Sequence, residues 1–115
     1  MKRETVNVFK ALSDPNRIRI IKMLETRELC VCEVREVLDL STSTVSKHLS
    51  ILRDAGLITD SKDGKWVNFR LNQRPQTSFV QSQLALVLTS FADDEQIQAD
   101  RRKLVKVDRN VICRL

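Results

Sequence analysis

The feature that most constrains the fold is an Asp-Gly pair between two short segments in which polar and apolar residues alternate. The segments run from Leu57 to Ser61 and from Lys65 to Leu71, and Lys62-Asp63-Gly64 joins them. Asp-Gly between two alternating runs is a strong signal for a β-hairpin. Gly56, directly before the first segment, suits the left-handed position at the end of a helix. The sequence therefore predicts a helix that ends at a glycine and leads into one short hairpin.

The helix before this hairpin is the best-defined element of the sequence. Val45, Leu49 and Leu52 recur with the spacing of one helical face, and Ser41 or Thr42 can cap its first turn. A helix preceded by a tight turn and followed by a hairpin is the arrangement of a winged helix-turn-helix.

Three shorter helices are predicted upstream. Val6, Phe9 and Leu12 mark the first, and Asp14-Pro15 ends it and begins the second, because proline is favoured at the first helical position after an aspartate cap. The third runs from about Val31 to Leu38. The predicted fold class is mainly α with a small β-hairpin, a winged helix-turn-helix.

A further helix from about Thr77 to Ala92 carries apolar residues around too much of its circumference for a one-sided surface helix. A domain of this size cannot cover both faces, so we predict a homodimer, with burial inside the monomer as the alternative. Residues 1–92 are then the winged domain with its dimerisation helices. Residues 93–115 form a C-terminal tail, whose helical or irregular structure the sequence leaves open.

Composition narrows the function classes. The chain carries 20 lysines and arginines against 15 acidic residues, a net charge of +5, which favours an anionic partner such as nucleic acid. No stretch is long and apolar enough for a membrane span, and the start has no apolar signal-peptide region. Three cysteines without an export signal predict free thiols and a cytoplasmic location. One histidine and the lack of a phosphate loop or a nucleophile–base set argue against an enzyme.

The solvent face of the helix after Leu40 is rich in hydroxyl groups, which can approach base edges and phosphates closely in the major groove. Lysine and arginine side chains of the hairpin can reach the adjacent backbone. His48 can contact DNA or pack locally, and Trp66 and Phe69 should brace the hairpin against the body. The predicted DNA-binding residues are Ser41, Thr42, Ser43, Thr44, Ser46, Lys47, His48, Lys62, Lys65 and Arg70.

Cys30 and Cys32 form a C-x-C pair at the start of the third helix, and thiolates bind soft ions tightly. Side chains two residues apart point about 200° apart on a helix, so we expect both sulfurs to meet one ion only if the helix start unwinds. Cys113 is either a third ligand, a redox partner or an incidental thiol of the tail. Two cysteines packed as small hydrophobic residues are the alternative for the pair.

Several segments together resemble one known family. Glu28-Leu29-Cys30-Val31-Cys32-Glu33 is similar to the metal-binding box of the ArsR/SmtB repressors. Ala11 through Arg17, Leu40 through Leu49 and Leu52 through Leu57 resemble the family's opening, recognition helix and helix exit. The resemblance covers about residues 6–72, and the tail after Pro75 matches only in general character.

The resemblance implies a homodimeric repressor that leaves its operator DNA when As(III) or Sb(III) binds cysteine thiolates. In this family the first and last helices make the dimer. Arsenic-sensing relatives often carry a third cysteine three residues after the pair, where this chain has Arg35. Three-sulfur ligation would then require Cys113, from its own or the partner subunit; otherwise binding rests on two sulfurs. The zinc-sensing branch needs a histidine or an acid on the last long helix, and residues 77–92 contain neither.

Two other functions fit the same residues. A thiol redox, persulfide, cadmium or lead sensor would keep the DNA-binding module and change the signal. A metal-handling or protein-interaction module that does not bind DNA would use the basic face for acidic partners.

Overall fold

A computed structural model of the chain describes residues 2–113. Within that range it contains seven helices and one two-stranded antiparallel sheet. In chain order the elements are α1 (Arg3–Leu12), α2 (Pro15–Thr26), α3 (Val31–Leu38), α4 (Thr42–Asp54), β1 (Ile58–Asp63), β2 (Trp66–Leu71), α5 (Ser78–Ser90), α6 (Glu95–Val105) and α7 (Arg109–Ile112). The order of four helices and a hairpin agrees with the predicted winged helix-turn-helix.

Local signals define the boundaries of the helix-turn-helix. The side chain of Asp14 accepts a hydrogen bond from the backbone N–H of Asn16 at 2.7 Å, with Pro15 at the first position of α2. Ser41 caps α4 by accepting from the backbone N–H of Thr44 at 3.2 Å. Gly56, after α4, has φ +82°, the left-handed conformation predicted for it.

One apolar core lies between these helices. Val45, Leu49 and Leu52 of α4 are buried as predicted, against Ile20 of α2 and Val34 of α3. Because α3 packs on α4 through this core, the start of α3 and the exposed face of α4 lie on one rigid unit.

The hairpin is slightly longer than predicted. β1 and β2 pair from Ile58↔Leu71 to Asp63↔Trp66, so the turn consists of Gly64-Lys65 rather than Lys62-Asp63-Gly64. Gly64 has φ +60°, which two-residue hairpin turns require at their first position in this geometry. Lys62 therefore lies in a strand.

The region after the hairpin is helical. α5 agrees with the predicted long helix, and the tail, left open by the sequence, forms α6 and α7. α6 packs against α2 and α3, and α7 packs against α3. Among the described residues, no helix is long and apolar enough to cross a membrane.

Candidate functional site

The three cysteines meet at the start of α3. The sulfur atoms of Cys30, Cys32 and Cys113 all lie within 4.8 Å of one another, although Cys113 is 81 residues from Cys32. Cys30 and Cys113 are buried, with their sulfurs 3.9 Å apart. We call these three residues the cysteine cluster, and all of them come from one chain.

The expectation that the helix start must unwind is wrong. Cys30 is the N-cap of α3, with extended backbone at φ −92° and ψ 171°, and only Cys32 lies within the helix. The helical angle between positions i and i+2 therefore does not apply to this pair. Both sulfurs share one site with α3 intact.

The expectation of three free thiols also differs from the structure. Cys32 and Cys113 form a disulfide, with their Cα atoms 5.7 Å apart, and Cys30 is a free buried thiol. The reason is α7, which brings the tail back onto α3 and places Cys113 beside the pair. Disulfide formation and ion binding use the same sulfurs, so they are alternative states of one cluster.

Glu33 caps the N-terminus of α3 with its side chain. Its Oε1 accepts a hydrogen bond from the backbone N–H of Cys30 at 2.9 Å, and its Oε2 accepts one from Arg27 at 2.6 Å. Burial raises the pKa of the Cys30 thiol above its ordinary value, and the Glu33 carboxylate adds to this effect. Cys30 is therefore held in place as a thiol, and a bound ion must displace its proton.

The donor set fits one thiophilic ion. Metal–thiolate bonds are about 2.3 Å long, so two sulfurs on one ion lie up to about 4.6 Å apart. The sulfurs of the cluster are already confined to nearly that span. Once Cys32 and Cys113 are reduced, the cluster can offer three thiolates to an ion without any rearrangement of α3.

The predicted DNA-binding residues of α4 lie on its solvent side. Ser41, Thr42, Ser43, Thr44 and Lys47 are exposed, and Ser46 and His48 are half-buried. The hydroxyl of Ser41 is occupied as a cap and donates to Thr44 Oγ1 at 2.8 Å. The remaining hydroxyls and Lys47 form a short-chained, cationic face that can approach a groove.

The ring of His48 is hydrogen-bonded to Arg17 of α2. Arg17 Nη1 donates to His48 Nδ1 at 3.0 Å, and Arg17 also donates to the carbonyl oxygens of Ala11 and Lys10 at 2.8 and 3.1 Å. Because a guanidinium has no acceptor, Nδ1 accepts and the ring proton of the neutral imidazole lies on Nε2. Burial lowers the pKa of His48, so the neutral ring with an Nε2–H donor is favoured.

The cations of the hairpin are divided between two environments. Lys62 and Lys65 are exposed near the tip, where Lys65 Nζ lies 5.5 Å from the centroid of the Trp66 ring. Arg70 instead forms an ion pair with Glu28 at 3.7 Å beside the cysteine segment. Phe69 is buried in the core, which confirms its bracing role.

Arg27, Glu33 and Arg109 are residues of this region that the sequence reasoning missed. Glu33 has a detectable signal, since a glutamate three residues after an N-cap is the second half of a capping box. Arg109 lies four residues before Cys113, one turn of helix, but the tail gave no independent reason to expect α7 there. Arg27 contacts residues far away in the sequence, which no local pattern reveals.

Comparison with known sequences agrees with this geometry. Residues 14–60 match the bacterial regulatory proteins of the arsR family. The chain is 46% identical over 68 residues to the arsenical resistance operon repressor of Escherichia coli, and 41% identical over 70 residues to a CadC homolog, a cadmium resistance transcriptional regulatory protein, of Staphylococcus aureus. These alignments cover 58% and 60% of this chain, and the chain spans 58% of the length of each relative.

Comparison with solved structures covers more of the chain. HlyU from Vibrio cholerae matches with a TM-score of 0.61 and 31% identity, over 76% of this chain and 94% of that one. The homodimeric winged helix-turn-helix DNA-binding domain of Mb0332 from Mycobacterium bovis matches with a TM-score of 0.62 and 25% identity, over 73% of this chain and 74% of that one. With its C-x-C box, winged fold and these similarities, the chain belongs to the arsR family of bacterial regulatory proteins.

Proposed function

We propose that this protein is a transcriptional repressor that is released from its operator DNA when As(III) or Sb(III) binds the cysteine cluster. The observation that carries the proposal is the convergence of three sulfurs within 4.8 Å at the start of a helix that packs on α4. Thiolates are the ligands that thiophilic ions prefer. The proposed activity is reversible binding, and no catalytic step is part of it.

Binding to operator DNA is supported by the exposed side of α4 and the tip of the hairpin. Ser43, Thr44 and Lys47 face solvent on α4, and Lys62 and Lys65 face solvent on the hairpin. Such short hydroxyl side chains and lysines suit base edges and phosphates. Because phosphate contacts release counterions, Lys47→Gln should lower the salt dependence of affinity by about one counterion per subunit, or about two for the proposed dimer. Arg102→Gln, on the exposed side of α6, is the control that should leave that slope unchanged.

A homodimer through α1 and α5 is part of the proposal. Phe9 of α1 is 55% exposed and Leu86 of α5 is 59% exposed, and Phe9 contacts Phe79 with ring centroids 5.3 Å apart. Phe9 and Phe79 form a partly exposed apolar patch, and a second copy would bury it. The homodimeric relative from Mycobacterium bovis supports this arrangement.

The test is fluorescence anisotropy of the fully reduced protein on DNA from upstream of its own gene, titrated with arsenite, antimonite and cadmium. Release near one equivalent of metalloid per cluster is expected. Cys30→Ser/Cys32→Ser should bind the same DNA with unchanged affinity and fail to respond. Glu36→Gln, an exposed change on α3, is the matched control and should respond like the natural chain.

Cys113→Ser separates two-sulfur from three-sulfur binding. Loss of most of the metalloid affinity is expected if Cys113 is a ligand, while loss of none would reduce the site to Cys30 and Cys32. A response that survives in the double variant contradicts the site, and the absence of specific DNA binding contradicts the repressor.

A second candidate is a thiol redox sensor of the same fold, favoured by the disulfide between Cys32 and Cys113. This candidate predicts that the reduced protein binds DNA tightly, that metalloids do not release the DNA, and that oxidation of the protein does. Release by cadmium at lower concentration than by arsenite would instead select a cadmium sensor; the relative from Staphylococcus aureus is named a cadmium resistance transcriptional regulatory protein.

A further inference from the structure

Both sides of the cysteine cluster contact the same strand of the hairpin. On one side, Leu29 directly precedes Cys30 and forms a two-way backbone bridge with Phe69 of β2. The Leu29 N–H donates to the Phe69 carbonyl oxygen at 3.1 Å, and the Phe69 N–H donates in return at 2.8 Å. The segment that enters the cluster is therefore tied to the free edge of β2 by one isolated β-bridge.

On the other side, Arg109 of α7 contacts two residues of β2, Asn68 and Trp66, that share a face of the strand. Its Nη1 donates to Asn68 Oδ1 at 2.9 Å, and its guanidinium lies 4.5 Å from the centroid of the Trp66 ring. Asn68 is buried, so this hydrogen bond satisfies a side chain that has little access to water.

Arg109 and Cys113 are the two ends of one turn of helix. The Cys113 N–H donates to the Arg109 carbonyl oxygen at 2.9 Å. A helix of four residues has no stability of its own, so the contacts at its ends decide where it lies. A change in the bonding of Cys113 therefore changes the freedom of Arg109, and with it the support of Trp66 and Asn68.

We propose that Arg109 is a positioning residue that transmits the state of the cysteine cluster to the hairpin. This inference rests on the proposed function, because it connects ion binding at the cysteine cluster with DNA binding by the hairpin. When Cys113 is tied to the cluster, α7 is docked and Arg109 holds β2 in one position. When Cys113 is free, α7 loosens and the hairpin can adopt the position that DNA requires. The output of the sensor is then the hairpin, rather than a rotation of α4.

Trp66 provides a direct readout, because it is the chain's single tryptophan and lies under Arg109. Arsenite is added to the reduced protein without DNA, and binding is followed by sulfur-to-arsenic absorption while Trp66 emission is recorded. We expect emission to change in step with binding in the natural chain. Arg109→Ala should bind arsenite equally and show no change, Arg109→Lys should show part of it, and Arg102→Ala should show all of it.

DNA affinity supplies the second readout. Typical coupling between two sites changes affinity by about 5- to 150-fold. Arg109→Ala should keep the affinity of the arsenite-free protein within about threefold and reduce the release caused by arsenite to a few-fold at most. If Arg109→Ala shows the same arsenite-induced release, or the same change in Trp66 emission, as the natural chain, the proposal is overturned. The signal is then assigned to the α3–α4 contact.

A third experiment tests the coupling without metalloids. A dithiol reductant passes two electrons to the Cys32–Cys113 bond, which opens to two thiols while the dithiol closes to its own disulfide. We expect Trp66 emission to change on reduction in the natural chain and not in Arg109→Ala. If arsenite fails to bind but reduction moves Trp66, the proposed inducer is wrong and the coupling stands. If arsenite binds and neither trigger moves Trp66, the coupling is wrong and the proposed function stands.

Discussion

The two segments that form the cysteine cluster are held by different kinds of contact. The segment with Cys30 and Cys32 begins at Leu29, which is fully buried in the core and bridged to Phe69. Glu33 fixes its helix start from inside the protein. Core packing and backbone hydrogen bonds therefore anchor this half of the cluster.

The segment with Cys113 buries Leu104 of α6 in the core, and polar contacts tie it along its edges. Arg19 of α2 donates two hydrogen bonds to Asp100 of α6, at 2.8 and 2.9 Å, and Arg27 donates to the carbonyl oxygens of Leu104 and Val107 at 3.4 and 3.3 Å. α7 itself contains no buried residue. The half of the cluster with Cys30 and Cys32 is thus anchored by a fully buried residue, whereas the short helix that carries Cys113 adds no buried side chain of its own.

The largest expected effect tests the anchored half. Leu29→Ala should lower the free energy of unfolding by about 3 kcal/mol, because it removes a fully buried side chain and leaves a cavity behind the cluster. Urea denaturation measures the loss. Val111→Ala, in α7 and 62% exposed, is the control and should change stability by less than about 0.5 kcal/mol. A cost for Val111→Ala close to that for Leu29→Ala would contradict the difference between the halves.

The next effect tests the polar contact between Arg19 of α2 and Asp100 of α6. Asp100→Asn keeps the shape of a buried side chain and removes the charge that Arg19 binds, so α6 should lose about 2 kcal/mol of protection against local opening. Amide hydrogen exchange measures this protection helix by helix, and the loss should be confined to α6 and α7.

Arg101→Gln is the matched control on the same helix, since Arg101 is largely exposed and its ion pair with Glu25 is screened by water. It should cost less than about 0.5 kcal/mol. Equal loss of protection in α2, α3 and α6 on changing Asp100 would mean that the tail unfolds only with the whole domain.

Glu33→Gln should have a smaller effect, about 1 kcal/mol in urea denaturation. The amide oxygen can still accept from the Cys30 N–H, whereas the ion pair with the 42% exposed Arg27 is lost and was already weakened by solvent. Glu36→Gln on the exposed side of α3 should be neutral. A loss above about 3 kcal/mol would show that Glu33, rather than the core, anchors this half.

The half of the cluster that contains Cys30 and Cys32 could be predicted from the sequence better than the half that contains Cys113. α2, α3 and α4 follow from local signals, since Asp14-Pro15, Ser41 and Gly56 act on residues within a few positions of themselves. The pairing of Cys30 with Cys32 is visible for the same reason. Their geometry was predicted wrongly because the helical angle was applied to Cys30, although the predicted helix begins at Val31 and Cys30 is its N-cap, with extended backbone.

The tail could not be predicted in this way. Arg19 meets Asp100 across 81 positions, and Arg109 meets Asn68 across 41. The pattern of charges in residues 93–115 is compatible with many partners, and only the three-dimensional fold selects among them. Cys113 could therefore be named as a candidate ligand, but its place within the same chain required the structure.

The smallest effect concerns His48, a half-buried ring at the junction of α1, α2 and α4. Arg17 bonds both this ring and the carbonyl oxygens of Ala11 and Lys10. Burial, with Arg17 and Lys47, lowers the pKa of His48 against the opposing influence of Asp14. The unfolded chain, with an ordinary imidazole pKa near 6.5, then binds the proton more tightly than the folded chain. The contribution to stability is complete above about pH 6.5 and is lost as the pH falls through the pKa of the folded protein.

Subtracting the pH dependence of a His48→Gln variant isolates this effect, because the carboxylates contribute equally to both proteins. As the pH falls below about 6.5, the free energy of unfolding of the natural chain should decrease more than that of the variant, and NMR titration of the one histidine should give a pKa below 6.5. A measured pKa at or above 6.5 would mean that Arg17 does not hold the neutral ring. The charge of Asp14, which acts in the opposite direction, would then outweigh burial and Arg17 in the environment of the ring.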